Sequence, residues 1–477
     1  MTLSGTRTTH GLVLGGGLAG MLAARVLRRH LDQVTVIERD ALPDGPQHRK
    51  GLPQARHSHL LWSGGARLID SLLPGTTERL KAAGAQRIGV YRNMVSLTSY
   101  GWQQRFPETQ FLHAASRPLL DWTIRDLTLA DPAITLRQRT EAVALLGDAT
   151  HVTGVTIRDL DDGASTDLTA DVVVDTTGRG SRLAQWLDAL DVPPPQEDVV
   201  DSGITYATRV YRAPGRSAGA FPMVSIHSDY RTRQPGRFGL ILPVENGQWI
   251  VTLSGTRGSE PPTDEAGFAA FAKELAHPLI SELIGLATPL TPVQGSRSTA
   301  NRRRYFERNS VWPDNLIALG DSVAGFNPVY GHGMSAAARS AAALDRALQR
   351  NLGTPDLATS ALRGISRAVD DPWNLATAQD IFYPDCRVNA DDPRLEEELN
   401  SQERFTELVC TAGLTTAPVA AAVAGVSALA APATSLQSPA VLGALRDRTA
   451  TPTPAPDTPT LTDEEWALAT AEPLDDN

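Results

Sequence analysis

Cysteine is almost absent from the 477-residue chain, and the two that occur, Cys386 and Cys410, exclude a disulfide framework. Neither lies in a Cys-x-x-Cys pair or at metal-ligand spacing from a histidine, so both read as buried thiols and no metal site is expected. Basic charge is in deficit: 44 Lys+Arg against 54 Asp+Glu give a net charge of −10, which argues against sequence-independent binding to nucleic acid or anionic lipid. A long apolar run is missing too. The stretch from Leu408 to Leu445 carries no charge, but it is rich in Ala, Thr, Ser and Gly and is broken by Pro418 and Pro432. A buried helix or a pair of short ones fits it better than a membrane span. Met1 to His10 lacks the basic-then-apolar layout of a signal peptide, so a cytoplasmic protein, with a monomer as the simplest state, is the expectation. No internal repeat is present.

What is present is ordinary globular composition, 41 % hydrophobic and 21 % charged, and enough length for two or three domains. The first forty residues read as strand (Leu12 to Leu14), glycine turn (Gly15 to Gly20), helix (Met21 to Arg29) and strand (Val34 to Ile37). A helix is expected over Leu60 to Leu73 and another from Pro118 to Leu129, with Pro in its first turn. Val143 to Leu146, Val152 to Ile157 and Asp171 to Val174 suggest a hairpin leading to a buried strand. From Gly203 to Thr256 the chain looks all-β, with a hairpin turning at Asn246-Gly247, residues suited to positive φ. Strand Leu316 to Leu319 runs into Gly320-Asp321, and Met334 to Leu348 is an Ala-rich helix. The tail from Thr449 to Thr462 holds four prolines and is expected to be extended or disordered.

Gly15-Gly16-Gly17-Leu18-Ala19-Gly20 fits G-x-G-x-x-G between a strand and a helix, and Glu38 closes the next strand 18 residues after Gly20. Gly15 permits the tight turn, Gly17 lets a pyrophosphate approach the backbone, Gly20 lets helix and sheet pack closely, and Glu38 accepts from a ribose hydroxyl. Arg49-Lys50-Gly51-Leu52-Pro53-Gln54-Ala55-Arg56-His57-Ser58-His59 is dense in donors. His57 and His59 have no nearby carboxylate, which argues against zinc.

Two further segments go beyond the fingerprint. Leu316-Ile317-Ala318-Leu319-Gly320-Asp321, followed by Phe326-Asn327-Pro328-Val329-Tyr330-Gly331-His332-Gly333-Met334, resembles the Gly-Asp motif of group A flavoprotein monooxygenases. In that family the aspartate binds the ribityl chain and the helix start lies against the isoalloxazine. Val172-Val173-Val174-Asp175-Thr176-Thr177-Gly178-Arg179 resembles the family's middle motif, except that Asp and Gly stand three apart instead of adjacent, which weakens any transfer of nicotinamide contacts to Asp175 or Arg179. Ser116-Arg117-Pro118 is similar to the family's arginine at a helix start. Read together with Arg49 to His57, Leu61-Trp62-Ser63-Gly64-Gly65 and Asp175 to Ser181, these pieces look most like the FAD-dependent polyene epoxidases of polyether ionophore biosynthesis, over roughly residues 10 to 445.

The resemblance implies an α/β fold: a Rossmann-like FAD-binding domain, an interleaved β-sheet substrate domain and a helical C-terminal region. The expected division gives the FAD-binding domain residues 10–90, 116–200 and 301–350, and the substrate domain 91–115 and 201–300. A helical region then spans 351–448 and a flexible tail 449–477. FAD contacts are expected at Gly15, Gly17, Gly20, Glu38, Arg39, Arg49, Lys50, Gln54, Arg117, Val143, Asp321, Pro328, Gly331, Gly333 and Met334. NAD(P)H is the implied transient reductant and O2 the co-substrate. A flavin C4a-hydroperoxide would epoxidise an apolar, free or carrier-bound polyene, and no single side chain would be the certain catalyst; Pro328, Gly331, His332 and Gly333 lie beside the ring. An aromatic hydroxylase is the alternative, with Tyr206, Tyr330 and His332 as candidate bases. A non-catalytic flavin-binding protein is another. The Trp-x-Trp-x-Ile-Pro element of flavin halogenases does not occur. The substrate pocket is expected between the β-sheet domain and the charge-free C-terminal stretch, with Val423 in its wall.

Overall fold

The computed structural model describes residues 8–219, 221–297, 299–397, 403–450 and 454–471. Its first layer is a five-stranded parallel sheet in the order Leu316–Ala318, Val172–Asp175, His10–Leu14, Gln33–Ile37 and Ile134–Arg137. Leu12, Val13, Val36, Val173, Val174 and Ile317 are fully buried, as parallel strands covered on both faces require. Helix Leu18–Leu27 packs on this sheet and against helices Arg117–Leu129 and Gly333–Asn351. A three-stranded meander, Thr140–Gly147, Val152–Asp159 and Ser165–Thr169, leads into the second strand of the sheet. Strand order reverses at His10–Leu14, the position at which open α/β sheets bind ligands beyond their strand ends.

The second layer is an eight-stranded, mostly antiparallel sheet. Its central hairpin joins Arg237–Val244 to Gln248–Gly255 through Asn246 at φ 60° and Gly247 at φ 63°, as the Asn-Gly pair predicts. One face carries Ala207, Tyr211, Ile241, Trp249, Val251 and Leu253 and is closed by helices Glu265–Lys273 and Leu279–Leu286. The opposite face is written in rows. Thr208 pairs with Thr252, Thr252 with Leu240, Leu240 with Ser225 and Ser225 with Ser96, which makes a mainly hydroxyl row across five strands. On one side of it run Val210, Ile250 and Leu242, continued by Met223 beside Met94; on the other run Tyr206, Ser254 and Phe238.

Several expectations need correction. The segment from Leu60 begins as strand Leu60–Trp62 before helix Ser63–Leu72, because Phe111–Ala114 pairs with it. That pairing, extended to Gln86–Gly89, also removes Phe111–Ala114 from the large sheet, which takes only Met94–Thr98 and Gly101–Trp102 from this region. The charge-free stretch is, as expected, made of short helices: Glu403–Gly413 and Ala417–Ser427, bent by 112°, followed by the start of Pro439–Ala450. Among the described residues no single helix is long and apolar enough to cross a membrane. The end of the tail is a docked helix, Asp463–Thr470. Thr462 and Glu465 form a capping box on helix Asp463–Thr470, Glu465 pairs with Arg105 at 2.8 Å, and Ala469 is buried in the core under the large sheet. The proline-containing part over 454–462 has no helix or strand, as expected, and residues 451–453 and 472–477 of the expected tail lie outside the described residues.

Candidate active site

The glycine turn is built around clearances. Gly15 has φ 103°, and a Cβ there would meet Thr176 O at 2.7 Å. At Gly20 a Cβ would stand 1.9 Å from Gly15 O, so turn and helix close on each other only without a side chain. Gly17 differs: the one atom near its Cβ position is Arg49 Nη2 at 3.7 Å. The turn therefore leaves an open place at a helix start with a guanidinium beside it, a setting for a phosphate. Arg49 Nη1 also lies 2.9 Å from Glu38 Oε2. Glu38 is 6 % exposed and accepts from Gly16 N (2.8 Å) and Asp40 N (2.9 Å), so its carboxylate first braces the turn and keeps room for one further donor.

The other two motifs meet nearby. Asp175 spends its carboxylate on Thr177 and Ser181, which shapes the turn after its strand. Gly178 N donates to Ser322 Oγ at 2.9 Å, and Arg179 donates to Ala300 O (2.7 Å) and Phe326 O (2.6 Å). Arg179 thus clamps the middle motif to the segment after Asp321. Asp321 itself keeps 44 % of its side chain exposed, with Arg179 Nε at 3.8 Å, so its oxygens stand open to a ligand hydroxyl.

After Asp321 the chain forms a short 3-10 turn, Pro328–Tyr330, and Gly331 at φ 68° packs against Leu60 and Trp62. Helix Gly333–Asn351 then starts, and nothing lies within 4 Å of a Cβ built at Gly333. Its first N–H groups have no intrahelical acceptor and concentrate positive potential at that open place. His332 is buried, and its Nε2 lies 3.0 Å from Ser427 O. Burial pushes His332 down to about 4, so near neutral pH the ring is uncharged and its Nε2–H donates to that carbonyl. His57, likewise pushed down to about 4 by burial, bonds Thr208 through Nδ1 at 2.7 Å, while His59 Nδ1 bonds His57 O at 2.8 Å. The two rings are engaged through different partners.

The expected contact residues divide into groups. Gly15, Gly17, Gly20, Glu38 and Arg49 converge on the fingerprint, and Asp321, Pro328, Gly331, Gly333 and the buried Met334 line the second half. Val143 falls at the register slip between Ala142 and Ala144, a bulge that re-aims its backbone beside the Glu38 strand. Arg117 is committed to Asp121 at 2.8 Å, an i,i+4 pair that leaves it less available than expected. Arg39, Lys50 and Gln54 are exposed, and their side chains make no hydrogen bond or ion pair with the described residues. Val423 turns away from the large sheet into the cluster of Val409, Val419 and Val441; Ala424 and Ala428 of the same segment face the sheet, with Trp62, Met94, Met223 and Ile250. Sequence reasoning missed Asp380, 2 % exposed beneath the Asn327–Tyr330 loop, and the hydroxyl row. A carboxylate ending a Pro-interrupted helix carries no motif.

Comparison with known proteins gives this arrangement its family. The chain belongs to the FAD binding domain family, whose model matches residues 8–355. It is 32 % identical to protein Rv3254 of Mycobacterium tuberculosis over 391 residues, 80 % of this chain and 81 % of that one. Its fold is similar to that of the flavin-dependent brominase Bmp2, with TM-score 0.63 and 15 % identity over 93 % of this chain and 98 % of that one. It is also similar to P. aeruginosa PqsL in complex with 2-aminobenzoylacetate, with TM-score 0.58 and 17 % identity over 82 % and 100 %. The chain therefore carries an FAD binding domain over residues 8–355, and its fold is similar to that of pqsL, a probable FAD-dependent monooxygenase from Pseudomonas aeruginosa. The residues present fit the cofactor: the empty Cβ positions at Gly17 and Gly333 and the open Asp321 carboxylate are spaces and acceptors that FAD would take up.

Proposed function

We propose that the chain is a single-component FAD monooxygenase that uses NAD(P)H and O2 to epoxidise alkenes of a linear polyene. Gly17 and Arg49 would hold the pyrophosphate, Glu38 and the Val143 bulge the adenosine end, Asp321 the ribityl chain, and the Gly333 helix start the pyrimidine edge of the ring. Bound FAD supplies the electrophilic oxygen, while the chain seats the alkene, excludes water and stabilises charge on the ring edge. The observation that carries the substrate reading is the face opposite the loop. Its rows of Val210, Ile250 and Leu242, of Thr208, Thr252, Leu240 and Ser225, and of Tyr206, Ser254 and Phe238 bring one ionisable side chain, a phenol held neutral by burial, and the His57 ring bonded to Thr208 is held uncharged by burial as well. Such a wall suits hydrocarbon, whose binding comes from burial at about 0.8 kcal/mol per CH2. Product analysis with labelled O2 on a panel of polyenes and phenols tests the reading: labelled epoxide supports it, and labelled catechol with no epoxide overturns it.

Phenol hydroxylation is the second reading. It is favoured by one observation, the Asp380 carboxylate bonded to Tyr330 OH at 2.9 Å beneath the loop, a pair able to take a proton.

A further inference from the structure

Beneath the loop Asn327–Gly331 lies a buried hydrogen-bond cage whose polarity is set by two backbone groups. A backbone N–H can only donate. Asn327 N donates to Asn301 Oδ1 (2.6 Å), so the amide nitrogen of Asn301 turns to Asp380 Oδ2 at 2.8 Å. Val329 N donates to Asn327 Oδ1 (3.1 Å), which also accepts from Tyr206 OH (2.9 Å), so the nitrogen of Asn327 turns to Asp380 Oδ2 at 2.9 Å. Tyr330 OH donates to Asp380 Oδ1 at 2.9 Å, and the Ser202 hydroxyl is a further partner of the carboxylate. Ionised, Asp380 accepts from every arm of the cage and pins both Asn327 and Tyr330. The two amides have no freedom to reverse without stranding a backbone N–H. A hydroxyl does.

We propose that Asp380 is the positioning residue of the flavin-facing loop, and that one proton taken up on Asp380 Oδ1 reverses the Tyr330 hydroxyl from donor to acceptor. The only bond made is O–H on Asp380. The Tyr330 proton is then freed from the carboxylate and points out of the cage. The surrounding titratable groups leave the neutral range to Asp380. Tyr206 from the sheet, Tyr330 from the loop and Tyr383 after the helix are held neutral by burial, and burial pushes Cys386 up to about 12. Asp201, beyond Cys386, is paired with Arg257 at 2.9 Å, and Arg179, the cation on the motif side, is occupied by the carbonyls of Ala300 and Phe326. Burial raises Asp380 itself to about 6, against the pull of its four donors.

The inference rests on the FAD assignment but needs no substrate, so it stands or falls apart from the polyene reading. The test is a pH titration, from 5 to 7.5, of the visible absorption of the purified FAD-loaded protein. A spectral transition with a midpoint near 6 is expected in the wild type, and its loss is expected in Asp380→Asn. Tyr330→Phe removes one donor to the carboxylate and should move the midpoint up by about one unit, a tenfold change in proton affinity. No transition in the wild type, an unchanged one in Asp380→Asn, or an unmoved midpoint in Tyr330→Phe overturns the proposal. If Asp380→Asn fails to load FAD, the Tyr330→Phe midpoint decides alone.

Discussion

The glycine turn at residues 15–20 and the row-patterned face of the large sheet solve opposite problems. The turn works by leaving atoms out, and at Gly15 and Gly20 the limiting distances are to backbone oxygens. The sheet face works by side-chain choice on a regular ladder, where each position can be relettered while the hydrogen bonds beneath it stay. A cofactor shared across a family can be held by the first device, and a substrate that differs between relatives calls for the second. The position of Asp380 belongs to neither: it ties the end of helix Leu357–Asp380 to the loop between them.

The sharpest way to break this comparison is within the turn itself. Gly20→Val places a branched side chain where even a Cβ would lie 1.9 Å from Gly15 O, and should cost more than about 3 kcal/mol and the folded domain with it. Gly17→Val has room in the chain and should keep the melting temperature within a few degrees of wild type while losing FAD; flavin-to-protein absorbance and thermal melts on both variants separate the two roles. Equal loss of fold in both would mean that Gly17 too is a packing glycine.

Asp321→Ala comes next. Its carboxylate is open and supports little of the fold, so FAD affinity should fall by about 1.5–3 kcal/mol, roughly ten- to a hundredfold, with stability unchanged. Fluorescence titration of the apoprotein with FAD measures this. On the sheet face, Thr252→Val removes the hydroxyl shared by Ser58 (2.9 Å) and Thr208 (2.8 Å), costing about 1 kcal/mol. The ladder should survive, FAD content should hold, and the effect should appear in substrate KM. A loss of FAD instead would erase the division between the two regions.

Ending the chain after Arg448 should leave the cofactor and substrate regions least affected. It removes the Arg105–Glu465 pair and the burial of Ala469, lowering stability by about 1–2 kcal/mol and the melting temperature by a few degrees, with FAD retained. A calorimetric scan of the truncated protein checks it; unchanged melting would show that the docked helix adds nothing.

The two regions also differ in how far they could be read from the residues. Gly15, Gly17, Gly20 and Asp321 announce themselves because a backbone constraint admits few residue types. The Asn246-Gly247 turn is legible for the same reason. The hydroxyl row is not, since Thr208, Thr252 and Ser225 alternating with apolar residues read as the wet side of a strand, and only the pairing of five strands shows that they line up and are covered. The strand Leu60–Trp62 was hidden by its continuity with a helix, and its pairing partner lies some fifty residues away. Asp380 looks like any carboxylate near a helix end until Asn301 and Asn327 are brought to it.

The order of strands in the parallel sheet bears on how the protein is made. Val172–Asp175 leaves the ribosome with one neighbour, His10–Leu14, already synthesised, and its other neighbour, Leu316–Ala318, follows about 140 residues later. At roughly 5–20 residues per second, that fully buried strand waits on the order of ten to thirty seconds with one edge bare. During the wait the nascent chain displays an apolar edge open to wrong partners. Slower or faster translation across residues 176–316 is therefore expected to change the yield of folded protein at unchanged stability of the finished fold.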